Sequence, residues 1–400
     1  VSASPLRLMW AGFLSIFVWG SIAGLLGSVL PSLRERAALS LAESGWLFVA
    51  LSTGLVAASL LAGFLLDAIG RKQVLSAAVA LVVLALVALE FWNALPLLLL
   101  LAFLLGAGGS ALVTAAHALI ADLNPQHRAA ALNLLDFFFG VGAFVTPSLI
   151  VPLQRTRGLT GVLFALAGLA TLVLVYLSTV AIPRPKHARE FSASDAARLL
   201  RSGQFWVPAA IIFLYVGTEQ SVWDWQVTYF MRQLQIDNIE AARVLSIFPI
   251  AIMLGRLGHN FLLRKVPAQP VLIVSAVGAA ACFALMLTTH DARAASLGLF
   301  VAGLFMASVF PTTLGVLAGR FPESSGTALG LAITGGWLGS VAISPSFGFV
   351  AHRSDFWTAY LVVVASATLM VVAAVALWRQ GPAAPHALAG AKTAAAAESL

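Results

Sequence analysis

The sequence predicts an all-α polytopic membrane protein with twelve transmembrane helices in two six-helix halves, and three observations carry that reading. Of 400 residues, 60% are hydrophobic and 10% charged, whereas a soluble domain averages about 45–50% apolar and about 25% charged. The charged, Pro and Asn clusters cut the chain into twelve apolar segments, each near the roughly 20 residues needed to cross about 30 Å of hydrocarbon. The longest polar interruption, 183–205, falls near the middle and leaves six segments on either side. Continuous apolar runs argue against a spanning barrel, whose strands alternate over about ten residues.

In order, the first span, 10–31, leads straight into further apolar runs and reads as a span rather than a cleaved leader. The second, 44–66, ends in the polar loop AGFLLDAIGRK (62–72), and the third is 73–92. The fourth, 95–121, holds GAGG (106–109) and His117, and the fifth, 130–152, carries Asn133 and Asp136. The sixth, 159–182, stops at Pro183 and Pro185. Within 183–205, Ser192 and Asp195 read as a capping box for a short surface helix. That helix would turn Arg198 and Arg201 toward anionic lipid headgroups. The remaining spans are 206–231, 242–263, 270–289, 296–318, 326–350 and 356–379, followed by an Ala- and Pro-rich tail expected to be disordered. The domains are thus 1–182, a linker at 183–205, 206–380, and the tail at 381–400.

With both termini inside, 15 of the 23 basic residues lie on the cytoplasmic side, which favours that orientation. The net charge of +7 then reflects basic loops rather than a nucleic-acid surface. A lone cysteine, Cys282, excludes a disulfide framework. Neither HExxH nor DDxxD occurs, and the seven histidines are scattered, so no enzyme, metal or cofactor is expected. The Gly-rich GAGG and GLAITGGWLG (330–339) lie inside apolar spans without a following Lys-Ser/Thr. They let helices approach closely rather than cradle phosphate.

The halves repeat. AGFLLDAIGRK (62–72) aligns with GRLGHNFLLRK (255–265) at an offset of 193, placing Asp67 over Asn260 and Arg71–Lys72 over Arg264–Lys265. GAFVTPS (142–148) aligns with GSVAISPS (339–346), placing Pro147 over Pro345 at an offset of 198.

These motifs resemble the major facilitator superfamily of secondary transporters over nearly the whole chain. GFLLDAIGRK (63–72) matches its loop signature of Gly, Asp, Gly and a basic pair between spans two and three. FLYVGTEQSVWDWQVTYF (213–230), FPTTLGVLAGRFPESSGTALGLAITGGWLGSVAISP (310–345) and NLLDFFFGVGAFVTP (133–147) resemble the fucose-permease-like sugar:cation symporters. The chain departs from that branch at His117, where relatives tend to have Asn, and at Asp136, where they often have His. The resemblance implies alternating access and a latch at the cytoplasmic side built from Asp67, Arg71 and Lys72, with Asp67 facing a helix N-terminus of the other half. It also implies a monomer among lipids in a bacterial inner membrane, moving a sugar with a cation.

Ionisable groups within the hydrocarbon cost at least about 2.5–3.5 kcal/mol each at a helix centre and so usually face a cavity. Glu219 is near the middle of its span, with Trp223, Gln226 and Phe230 on the same helical face at i+4, i+7 and i+11. Acid, amide and indole together suit a polyol, and Asn133 and Trp337 are opposing candidates. Gln220 and Asp224 form a neighbouring stripe. His117 and Asp136 lie about equally far from the turn near 124–125 and so can meet across an antiparallel pair. Together with Glu219 they are the candidates for ion coupling. A proton is favoured over sodium because a charged imidazole repels sodium. Arg256 reads as structural, anchored by snorkelling or by pairing. The expected function is cation-coupled movement of a hexose or similar sugar; the alternative is a proton-coupled exporter of drugs or lipids.

Overall fold

The computed structural model describes residues 4–23, 25–183 and 193–381. Among these every regular element is a helix, as backbone in hydrocarbon requires when its N–H and C=O groups must be satisfied internally. Among the described residues eleven helices are long and apolar enough to cross a membrane. The expected eighth span, 242–263, coincides with a further helix of 25 residues, Asn238–Leu262. Large apolar side chains such as Leu172 (70% exposed) and Leu84 (66%) point outward, as lipid-facing groups do. The protein is an integral membrane protein.

The first half contains α1 (Pro5–Ala23), α2 (Leu25–Ala37), α3 (Leu41–Ala68), α4 (Arg71–Phe91), α5 (Leu95–Leu123) and α6 (Arg128–Thr179). The first span, expected over 10–31, is covered by α1 and the first part of α2. Conversely, spans five and six run together in the 52-residue α6, whose only break is Gly158 at φ 65°, ψ −163°. That conformation is open to glycine and strained for other residues. Ser40 starts α3 with a reciprocal capping box: the Glu43 N–H donates to Ser40 Oγ at 3.2 Å, and the Ser40 N–H to Glu43 Oε2 at 2.8 Å.

The short helix expected in the linker is α7 (Ala193–Arg201); its proposed capping box at Ser192 and Asp195, and the tail beyond Gly381, lie outside the described residues and side chains. The second half follows as α8 (Gly203–Gln233), α9 (Asn238–Leu262), α10 (Ala268–Met286), α11 (Ala292–Met306), α12 (Val309–Arg320), α13 (Ser325–Arg353) and α14 (Phe356–Arg379). The tenth span, expected as one helix over 296–318, is broken between Met306 and Val309. Pro311 accounts for this, since its ring opposes the carbonyl four residues earlier and it has no N–H to donate.

Two seams join the halves: α3 packs on α13, and α6 on α9, with α12 also against α6. In the repeat α3–α13 and α6–α9 are spans two with eleven and five with eight, so the seams exchange under the internal symmetry. Backbone approach at the α3–α13 seam is close. A Cβ added at Gly330 would lie 2.6 Å from Gly63 Cα and 2.6 Å from Ser59 O. One buried core spreads from Leu8 through the first half and across the seam to Ile333 of α13, and a second lies within the second half from Ile211 to Leu377. At the face carrying Asp67, Arg320 fastens the second half by donating to Gln204 O at 3.1 Å and Gly381 O at 3.1 Å.

Candidate functional site

Hydrogen bonds between the halves gather toward the Asp67 face. Asp67, at the end of α3, accepts the N–H groups of Gly326 at 3.2 Å and Thr327 at 2.7 Å and the Thr327 hydroxyl at 2.7 Å. A carboxylate therefore sits on the positive end of α13. Arg71 donates to Asp122 Oδ2 at 2.9 Å, to Leu66 O at 2.9 Å and to Ser325 Oγ at 3.0 Å, and Ser325 in turn donates to Asp122 Oδ1 at 3.2 Å. Lys72 departs from its expected gate role. Its Nζ reaches Ser178 O at 3.1 Å, within its own half, because the first turn of α4 points it away from α13. Asp122 was not singled out in the sequence; its signal was an acid at the end of a span that returns to the face of the basic pair.

Deeper along the same seam, Ser59 Oγ and Thr334 Oγ1 are 2.8 Å apart, and Trp337 Nε1 donates to Ser110 Oγ at 3.1 Å. On the other seam Asn133 Nδ2 donates to Ala129 O at 2.8 Å and to Thr312 Oγ1 at 3.0 Å. Both Trp337 and Asn133 thus bind the opposite half, and Asn133 Oδ1 is buried without a partner.

His117 and Asp136 come together. Nε2 of the imidazole lies 3.1 Å from Asp136 Oδ1, and the two residues are 0% and 4% exposed. His117 Nδ1 is 2.8 Å from Val113 O. A carbonyl only accepts, so Nδ1 carries a hydrogen. The approach of Nε2 to the carboxylate is then attractive only if one proton lies on Nε2 or on Asp136. Among the described residues neither Nε2 nor Asp136 Oδ2 has an aligned hydrogen-bond partner, so the 3.1 Å approach is an ion-pair contact.

From the second half, Arg256 Nη1 donates to the backbone carbonyl of Asp136 at 3.1 Å, and its guanidinium lies 5.9 Å from the Phe139 ring centroid. Arg256 is 6% exposed and interacts electrostatically with Asp136, Tyr215 and Glu219. Of the two anchors expected for Arg256, snorkelling and pairing, the structure shows pairing: the side chain is buried in the seam, with acids of both halves in its electrostatic surroundings. Tyr215, four residues before Glu219 on α8, stands beside both Glu219 and Arg256 with its hydroxyl buried and unaligned to any partner. That i, i+4 spacing was the signal for Tyr215, and it went unread beside the more conspicuous acid.

The expected sugar-facing stripe of α8 divides. Glu219 is half-buried and lies within electrostatic range of Arg256. Trp223 is 41% exposed, its ring 6.2 Å edge-on from Phe248 of α9. Gln226 is displaced from the stripe: it is 1% exposed and accepts the Tyr360 hydroxyl at 3.2 Å. Seven residues carry it about 10 Å beyond Glu219. At that level α14 covers the face, with the Tyr360 and Tyr229 rings 4.2 Å apart. Asp224 belongs to another group, accepting from Gln220 Nε2 at 2.8 Å and from the Ser344 hydroxyl.

Two helical halves, latched at one face and holding acids, an imidazole and a guanidinium at the seam, have the architecture of a membrane transporter. The family model of the Major Facilitator Superfamily matches residues 8–291 and 225–399, and the chain belongs to that superfamily; it is a transporter of this family. It is 23% identical over 385 residues to the sodium-dependent glucose transporter 1A of Mus musculus, covering 87% of this chain and 90% of that one. It is also 23% identical to the MFS-type transporter YfkL of Bacillus subtilis, covering 89% and 94%. Among solved structures it is similar to the E. coli fucose:proton symporter FucP, with a TM-score of 0.80, 19% identity and coverage of 94% and 99%. It is similar too to the proton:xylose symporter XylE, with a TM-score of 0.74, 17% identity and coverage of 94% and 96%.

Proposed function

We propose that this transporter moves a neutral hexose or similar polyol across the bacterial cytoplasmic membrane in symport with a proton. The observation that carries the reading is the His117–Asp136 contact, 3.1 Å long and buried at the seam, which requires one proton to be attractive. A proton needs a single such site, whereas sodium needs several convergent oxygens. With that proton bound the pair is neutral, and Arg256 balances Glu219, so the seam as a whole suits a solute without charge. Glu219 and Trp223 offer a carboxylate for hydroxyls and an indole for the apolar face of a sugar ring. Asn133 and Trp337 would join from the other seam contacts once the halves part, and Gln226 contributes by fixing α8 to α14. The face of Asp67 and Arg71 is the cytoplasmic one in this reading, and its closure is that of an outward-facing carrier. The names of the similar sugar transporters support the substrate class.

Uptake of labelled hexoses into proteoliposomes under an imposed pH gradient or an imposed sodium gradient tests this. Concentrative uptake driven by the pH gradient is expected. Accumulation with sodium alone would overturn the proton, and transport of lipophilic cations without hexose transport would favour an exporter.

A further inference from the structure

Among the buried polar groups at the seam, Arg256 is a charged side chain that reaches from one half to the other at the depth of the proton pair. It belongs to α9 in the second half, yet its Nη1 donates to the main chain of Asp136 in the first at 3.1 Å. Glu219 and Tyr215, from α8 of its own half, share the same guanidinium electrostatically. Its Nε has no aligned partner. The titratable groups around it are His117 of α5, Asp136 of α6, and Tyr215 and Glu219 of α8. On α9 itself His259 Nδ1 is tied to Gly255 O at 2.7 Å. The α11 surface against α9 presents Gly303 and Leu304, which carry no charge.

We infer that Arg256 is the positioning residue that carries the protonation state of the His117–Asp136 pair across the seam to Glu219. The inference rests on the proton reading above and deepens it. With the proton in place, His117 and Asp136 satisfy one another, and Arg256 is left to Glu219 and Tyr215 in its own half. When the proton leaves, Nε2 of His117 presents a lone pair to the carboxylate. Arg256 is then the cation placed to balance Asp136, and it clamps α9 onto α6. The clamp lies six residues from the end of α9 at Leu262 and eight from the start of α6 at Arg128, about 9–12 Å from the Asp67 face. Loss of the proton therefore tightens closure of that face, and gain of the proton loosens it while Arg256 turns to Glu219. A solute bonded to Glu219 competes for the same guanidinium, so solute and proton are felt by one another through a single side chain.

The test needs no solute. Spin labels at Gln126→Cys and Lys265→Cys, in a Cys282→Ser background, report the separation of the halves at the Asp67 face in reconstituted protein. Between mildly acidic and mildly alkaline buffer the closed population of the parent should rise about tenfold, equivalent to about 1.4 kcal/mol. Arg256→Gln should remove this response, Arg256→Lys should keep part of it, and Asp136→Asn should hold the acidic distribution throughout. A full pH response in Arg256→Gln overturns the inference, as does a parent that does not respond. If Arg256→Gln fails to fold, Arg256→Lys and Asp136→Asn decide it, because an unchanged response in both would equally overturn it. Hexose uptake separates this inference from the functional reading. Proton-driven uptake that survives in Arg256→Gln refutes the arm and leaves symport standing. A pH response through Arg256 without hexose transport refutes the substrate and leaves the arm.

Discussion

Asp67 Oδ2 accepts both the backbone N–H and the hydroxyl of Thr327, each at 2.7 Å, across the boundary between the two halves. The carboxylate thereby satisfies donors that α13 cannot satisfy itself, at the end where the helix dipole is positive. Asp67→Asn keeps the shape and removes the charge. A lost cap of this kind is worth about 1–2 kcal/mol, or roughly 5–30-fold in the closed-to-open ratio. Oxidative cross-linking of the pair Ser59→Cys and Thr334→Cys, whose native hydroxyls are 2.8 Å apart, reports closure directly. Cross-linking should slow by that factor in Asp67→Asn; an unchanged rate would show that the cap contributes nothing to closure.

The same seam depends on Gly330, where an added Cβ would lie 2.6 Å from both Gly63 Cα and Ser59 O. Both obstacles are backbone, so neither can move aside by rotating a side chain. Gly330→Val is expected to hold α3 and α13 apart, abolishing Ser59–Thr334 cross-linking and transport. Because the strain falls between the halves and not within one, the thermal midpoint should drop less than for a comparable substitution in either core, such as Leu86→Ala. A midpoint loss equal to the core variant would mean that the halves do not fold independently of the seam.

The spans and the latch were legible in the sequence for a simple physical reason. Hydrocarbon thickness fixes span length, and a loop such as AGFLLDAIGRK stands out against apolar neighbours. Asp67 could be assigned to a helix N-terminus only through the family resemblance, since its partners Gly326 and Thr327 are some 260 residues away in the chain. His117 and Asp136 were paired from their equal distance to one turn, a local argument within adjacent helices. For Arg256 snorkelling and pairing both stayed open, because a lone arginine in a span has the same sequence signature whether it reaches headgroups or meets a carboxylate from the other half. Gln226 was misplaced for a related reason. Helical periodicity gives the direction of a side chain from α8 but not which neighbouring helix stands in front of it at each level. The break before Pro311 was readable from the proline and was passed over because the apolar run continued through it.

For the buried pair, removing one member should cost more than removing both. His117→Leu removes the nearest partner of the buried Asp136 carboxylate, at 3.1 Å, and leaves it only the electrostatic balance of Arg256. Breaking a buried pair by removing one partner costs about 3–5 kcal/mol. The double variant His117→Leu with Asp136→Leu should recover most of that loss. Thermal unfolding in detergent of the two single variants and the double variant measures the coupling. Equal losses in His117→Leu and in the double variant would mean that the 3.1 Å contact carries no net interaction.

The final expectation concerns Glu219 and the solute. Its carboxylate is half-buried beside Arg256 and Tyr215, with Trp223 one turn further along α8. Glu219→Gln retains size and a carbonyl oxygen but replaces a charged acceptor with an amide, so a sugar hydroxyl that donated to it loses its stronger partner. An unsatisfied buried group costs about 1–3 kcal/mol, which corresponds to a roughly 5–150-fold weaker affinity. The measurement is binding of labelled hexoses to purified protein by scintillation proximity, with Gln226→Ala run in parallel. Gln226 touches Tyr360 within its own half, so Gln226→Ala should lower the thermal midpoint while changing affinity no more than about threefold. Weak binding in Glu219→Gln with a normal midpoint, against the reverse in Gln226→Ala, places the solute on the side of α8 that faces Arg256. Unchanged affinity in Glu219→Gln would remove that carboxylate from the solute site.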